Sequence, residues 1–145
     1  MTANADLAVV LDTMAMSAIV NESNKPDRSL DVRKVIGDRR VVVSFVTVAE
    51  LRFGAINAGW GELRQRSLER RIKAVTVITP DDRMMTGCAE FRLLCERSGH
   101  ALAQKVHEAD RWIAVSARYL DVDLVSNDKV FEQAPGLAVV RTPPA

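Results

Sequence analysis

Short runs of β-branched and aliphatic residues, each followed by a stretch with helical period, constrain this chain more than any other feature. Ala8-Val9-Val10-Leu11 is apolar at every position, without the alternation of a strand that keeps one face in water. Together with Leu7 it predicts a first strand over 7–11. Similar runs predict strands over 41–44, 75–78, 123–126 and 137–140. Helical patterns fill the gaps at 14–20, 26–36, 62–73 and 108–120. A further helix is entered at Thr47 and closed by Gly59, where Val46, Ala49, Phe53 and Ile56 recur with helical period. A long one opens at Pro80-Asp81-Asp82, carries the stripe Met84, Cys88, Phe91 and Cys95, and closes near Gly99. A short helical segment is expected at 129–133. Strands alternating with helices predict an α/β fold, a mostly parallel sheet with helices on both faces in three α/β/α layers. A length of 145 residues suits one domain over 1–145, with a flexible tail at 142–145.

Four acidic residues sit where such a fold would not ordinarily place charge. Asp12 ends the first apolar run, and Asp128 follows the strand at 123–126. Both therefore fall just past the carboxyl ends of strands, where parallel α/β sheets bind ligands. Glu50 and Asp110 are in register with apolar stripes of their helices. Each has a plainer reading as well. Thr47-Val48-Ala49-Glu50 has capping-box spacing, Asp110 can serve the positive end of a helix, and Asp12 and Asp128 can cap or turn the chain. Unpaired buried carboxylates are costly, and the simplest partner for several that converge is a hard divalent cation.

In order along the chain, Val9-Val10-Leu11-Asp12-Thr13, Val48-Ala49-Glu50-Leu51, Ala109-Asp110-Arg111-Trp112-Ile113-Ala114 and Leu124-Val125-Ser126-Asn127-Asp128 resemble the motifs of PIN-domain nucleases. Within that group the set is most similar to the VapC-type toxins of type II toxin–antitoxin pairs. The resemblance spans nearly the whole chain. It implies a PIN-like sheet of about five parallel strands with the acids at its carboxyl edge. It also implies a hydrolase, a magnesium- or manganese-dependent endoribonuclease leaving a 5′-phosphate and a 3′-hydroxyl. Asp12, Glu50, Asp110 and Asp128 are then the catalytic and metal-binding carboxylates. Thr13, Ser126 and Asn127 are the side chains expected to orient them. RNA is the implied substrate and a small cognate antitoxin the implied partner. Val130 stands where many relatives carry a further acid, Ser126 where many have Thr, and Ala109 where many have Asn.

Other features bound this reading. A net charge of +1 makes no global case for nucleic acid, so a local patch must supply one. The helix bearing Arg64, Arg66, Arg70, Arg71 and Lys73 is the candidate for phosphate contacts, with a solvated face as the plainer reading. His107 has no second histidine placed to make a zinc centre, and it is read as structural. Trp112, Val115 and Tyr119 give the last long helix a second apolar face, which suits a homodimer contact or ordinary burial. Cys88 and Cys95 lie about 10 Å apart on one helix, too far for a disulfide, as suits a reducing cytoplasm. No signal peptide and no membrane-length run is apparent. Two rivals remain. A haloacid-dehalogenase-type phosphohydrolase expects an acid where this chain has Met14, and a non-catalytic or DNA-directed PIN-like binding module would share the fold without cleaving RNA.

Overall fold

A computed structural model describes residues 7–143 of the chain. Five strands, β1 (Ala8–Leu11), β2 (Arg40–Ser44), β3 (Thr76–Ile78), β4 (Asp123–Val125) and β5 (Val139–Val140), form one sheet in the order β3-β2-β1-β4-β5. Every pairing is parallel. β1 lies at the centre, with Val10 opposite Val42 of β2 and Leu124 of β4. A strand with neighbours on both edges and helices on both faces meets no water. This accounts for Val9, Val10 and Leu11 being apolar without alternation and fully buried.

Among the described residues six α-helices surround the sheet: α1 (Thr13–Val20), α2 (Pro26–Ile36), α3 (Phe45–Asn57), α4 (Glu62–Lys73), α5 (Asp82–Ser98) and α6 (Glu108–Leu120). Alternate strand residues feed two separate cores. Val10, Val42 and Leu124 pack with Met84, Phe91 and Cys95 of α5 and Ile113, Ala114 and Ala117 of α6. Val9, Leu11, Val43 and Val125 pack with Met16 and Ile19 of α1, Val32 and Ile36 of α2, Val48 and Ala55 of α3, and Leu68 and Ile72 of α4. The sheet therefore lies between an α5–α6 layer and an α1–α4 layer.

Local signals explain most of the boundaries. Asp81 caps α5 by accepting from the Met84 amide at 2.8 Å, and Gly99 closes it in the left-handed region at φ 69°. α3 departs from expectation. It starts at Phe45, directly after β2, and its N-cap is Ser44, whose hydroxyl accepts from the Val46 amide. Thr47 is thus a buried residue inside the first turn, and no capping box with Glu50 forms. The helix also turns a different face inward. Val48, Leu51 and Ala55 pack on the core, while Phe53 and Ile56 are 66% and 71% exposed. Both stripes have helical period; of the predicted one only Val46 packs on a core, and its bulkier members Phe53 and Ile56 face outward.

Three further differences are smaller. The segment at 129–133 is a 3-10 turn over Lys129–Phe131, and two more such turns, Ala101–Ala103 and Lys105–His107, lead into α6. The last strand is limited to two residues. Thr142, placed in the tail by the sequence, is held by Asn127 through two hydrogen bonds, while 144–145 lie outside the described residues. The second apolar face of α6 is covered from within the chain at Trp112 and Val115, while Tyr119 stays 38% exposed with its hydroxyl donating to Asp81. Val115 is 3% exposed, and Trp112 meets Phe45 edge-on with ring centroids 5.3 Å apart. Cys88 and Cys95 are both free thiols.

Candidate active site

The order in which strands are added reverses about β1: β2 and β3 build outward on one side, β4 and β5 on the other. Ligand crevices of parallel sheets form at such a switch, beyond the carboxyl ends of the strands. Asp12 stands there, one residue past β1. Its Oδ1 accepts from the Ala15 amide at 2.8 Å, which caps α1, and its Oδ2 accepts from the Ser126 hydroxyl. Ser126, just past β4, accepts in turn from the Asp128 amide at 3.0 Å. One hydroxyl thereby fixes the distance between two acid-bearing strand ends. Asp128 caps the 3-10 turn that follows, accepting from the Val130 amide, and buried Phe131 anchors that turn in the core.

Asp110 enters from the first turn of α6. Its Oδ2 lies 3.4 Å from Nδ1 of His107. The two 3-10 turns that present His107 are held by Arg111, buried in the same helix, which donates to the Leu102 and Gln104 carbonyls at 2.7 and 3.2 Å.

Electrostatics tie three of the acids into one group. Burial raises the Asp12 pKa above its ordinary value, Ser126 and the Ala15 amide oppose that, and the negative charges of Asp128 and Asp110 raise it further. Asp110 is also raised, by burial first and then by Asp128, with His107 acting against both. Glu50 joins through hydroxyls. Thr13 donates to its Oε1 at 2.8 Å and sits 3.1 Å from the hydroxyl of Thr47. A hydroxyl has one proton, so with Thr13 donating to Glu50, Thr47 donates to Thr13. Thr47 is thus a part of the site that the sequence reading missed. Its one signal was the position three residues before Glu50, the same spacing that suggests a capping box.

Carboxylate oxygens of Asp12, Glu50, Asp110 and Asp128, with hydroxyls beside them, are the donor type that a hard divalent cation takes. Among the described residues, however, no three His, Cys, Asp or Glu side chains form a ready-made cage.

The remaining expected site residues lie elsewhere. Both side-chain hydrogen bonds of Asn127 go to Thr142, so its carboxamide holds the end of the chain and not a carboxylate. The basic helix α4 is divided. Arg66 pairs with Glu62 and Arg71 with Glu22. Arg70 and Lys73 line a groove against α3, beside the Arg52–Glu69 pair. Arg64 turns the other way, stacking on Trp60 at 3.7 Å and reaching Asn21 at 3.3 Å. No helix of the described residues is long and apolar enough to cross a membrane.

Comparison with known proteins agrees with this architecture. The family model of the PIN domain matches residues 9–137. Among solved structures, VapBC2 from Rickettsia felis bound to a promoter DNA fragment contains a chain with a TM-score of 0.76 and 19% identity, covering 94% of this chain and 100% of that one. VapBC-1 from nontypeable Haemophilus influenzae gives a TM-score of 0.70 at 25% identity, with 93% and 98% covered. DNA-bound VapBC from Salmonella typhimurium gives 0.69 at 25% identity, with the same coverage. No curated protein matches the chain by sequence.

Proposed function

The chain belongs to the PIN domain family, and from that premise we propose that it is a magnesium- or manganese-dependent endoribonuclease acting as the toxin of a toxin–antitoxin pair. The observation that carries the reading is the electrostatic grouping of Asp12, Asp110 and Asp128 at the switch point of the sheet, with Glu50 attached through Thr13. Two acids whose proton affinity is raised by burial and by the charge of neighbouring carboxylates are a poor structural device and a good binding site for a cation.

Asp12, Asp110, Asp128 and Glu50 would hold the cation, directly or through water. Bound there, it would supply charge neutralisation at a phosphodiester and a lowered pKa for water. The remaining work falls to the protein. Ser126 keeps the Asp12 and Asp128 segments at a fixed separation, and the Thr47–Thr13 pair aims the Glu50 carboxylate. The 3-10 turns hold His107 against Asp110, a contact that favours the charged carboxylate. Val130 continues the Asp128 turn with a partly buried apolar side chain, so no further acid crowds that end of the site.

The relatives of similar structure are VapBC assemblies, and this supports a small antitoxin as partner here. Phe53 and Ile56 of α3 are exposed apolar side chains three residues apart on one helix, which suits a protein partner, the antitoxin or a second copy of this chain.

Purified protein with manganese should cut total RNA, while Asp12→Asn should not. Equal cleavage by both proteins would remove Asp12 from the reaction. Manganese binding without cleavage would leave a non-catalytic binding module of the same fold.

A further inference from the structure

A second feature of the α1–α4 layer leads away from the acids. α1 begins at the acidic crevice, and its exposed side forms one wall of a groove of about 330 Å³. Met14, 63% exposed and two residues beyond Asp12, stands at the near end. Farther along lie Asn21, Asn24, Lys25, Arg28 and Arg64. From Thr13 to Asn21 the helix advances about 12 Å at 1.5 Å per residue, so the groove begins beside the acids and continues about two turns beyond them.

Its charge is of one sign. Three cations line it and no acid does. Asp27 and Asp31, close to Arg28 in sequence, do not line the groove and form no ion pair with Arg28, and Glu22 is occupied by Arg33, Arg71 and Ser29. Among the described residues Lys25, Arg28 and Arg64 take part in no ion pair, in contrast to Arg66 and Arg71 on the same helix as Arg64. The Arg64 guanidinium is already ordered by the Trp60 ring and the Asn21 carbonyl oxygen, which lowers the entropy it would lose on binding an anion. Unpaired cations interleaved with side-chain amides, in a groove whose near end at Met14 is two residues from Asp12, are complementary to a polyanion that crosses both the groove and the acidic site.

We propose that this groove is the track for the RNA backbone on one side of the cut, with Lys25, Arg28 and Arg64 contacting successive phosphates. The inference rests on the ribonuclease reading and adds to it which surface carries the strand. It also moves the phosphate contacts off most of α4: Arg64 belongs to the track, while Arg66, Arg70, Arg71 and Lys73 do not.

The test is binding of a short fluorescent oligouridylate without divalent metal, followed by anisotropy over a series of salt concentrations. Lys25→Ala/Arg28→Ala should weaken binding about tenfold and reduce the slope of log K against log salt by about 1.4, the loss of two single-strand phosphate contacts. Arg64→Ala should weaken it in the same direction, and Arg66→Ala should change neither quantity. Unchanged affinity and slope in Lys25→Ala/Arg28→Ala would overturn the proposal, as would an equal loss in Arg66→Ala. So would groove-dependent binding of a polyglutamate peptide in place of RNA, which would assign the surface to an acidic protein segment. The two readings fail separately. Cleavage of RNA with manganese while the groove variants bind normally removes the track alone. Groove-dependent binding with no cleavage removes the nuclease reading alone.

Discussion

Asp12 is 4% exposed, and its two oxygens take hydrogen bonds from the Ala15 amide and the Ser126 hydroxyl, yet burial and the neighbouring acids still raise its pKa. The native state therefore holds the Asp12 proton more tightly than the unfolded chain does. Its contribution to stability is full below the unfolded value of 3.8 and is lost as pH rises through the higher folded value. At neutral pH, without metal, the charged side chain should oppose folding. Asp12→Asn, which keeps the shape and can still cap α1, is expected to raise the melting temperature of the metal-free protein by roughly 3 °C, about 1 kcal/mol. The same substitution should abolish cleavage. A melting temperature that falls would mean that the hydrogen bonds to the carboxylate outweigh its burial. Thr47 is the second residue at this scale. Thr47→Val preserves volume and removes the proton donated to Thr13, so it should cost about 1 kcal/mol in thermal unfolding and lower activity through a less ordered Glu50.

Elements are tied together by a few polar residues whose signs of pH dependence differ from that of Asp12. Glu22, just after α1, accepts from Ser29 and Arg33 of α2 and from Arg71 of α4. The Arg33 guanidinium, with Ser29 and Arg71, lowers its pKa to about 2. A lowered acid stabilises in full above its unfolded value of 4.5, and that stability is lost as pH falls toward 2. The carboxylate is 28% exposed, so water screens much of the effect, and Glu22→Gln should cost about 1 kcal/mol at neutral pH. Denaturant titrations should find the gap between variant and parent closing as the medium is acidified. The start of α3 offers a sharper comparison. Ser44→Ala removes the observed N-cap and should cost about 1 kcal/mol. Glu50→Gln should leave the melting temperature nearly unchanged, because no capping box exists to lose. The reverse order would restore that box and deny Ser44 its role.

Across the whole molecule, apolar surface is distributed unevenly. On the face of α6 that suggested a dimer contact, Trp112 and Val115 are covered by Phe45 and the core and Tyr119 is partly exposed, while Phe53 and Ile56 of α3 remain in water. If a second copy covers that face, light scattering at high concentration should give a dimer mass for the parent protein and a monomer mass for Phe53→Ser/Ile56→Ser. A monomeric parent would leave the face to the antitoxin. The fold itself was largely legible in the chain, since β1 is apolar for a reason that holds at every position: it is central and covered twice. The capping signals of α5 were legible too, because the Asp81 hydrogen bond and the left-handed Gly99 depend on neighbours only three or four residues away.

What the sequence by itself determined is therefore whatever local periodicity and short-range hydrogen bonding control: the alternation of strands and helices, the parallel sheet, and the placement of Asp12 and Asp128 at strand ends. Only tertiary structure decided which of two equally periodic stripes of α3 faces the core, because that depends on the angle at which the helix leaves β2. It likewise joined Thr47 to Thr13 and Ser126 to Asp12, 34 and 114 residues apart in the chain. It turned Asn127 toward Thr142, and it divided the basic helix among the paired Arg66 and Arg71, Arg70 and Lys73 in the groove against α3, and Arg64 facing the groove along α1. Contacts of that separation leave no period in the sequence, since nothing local requires the partner to be where it is.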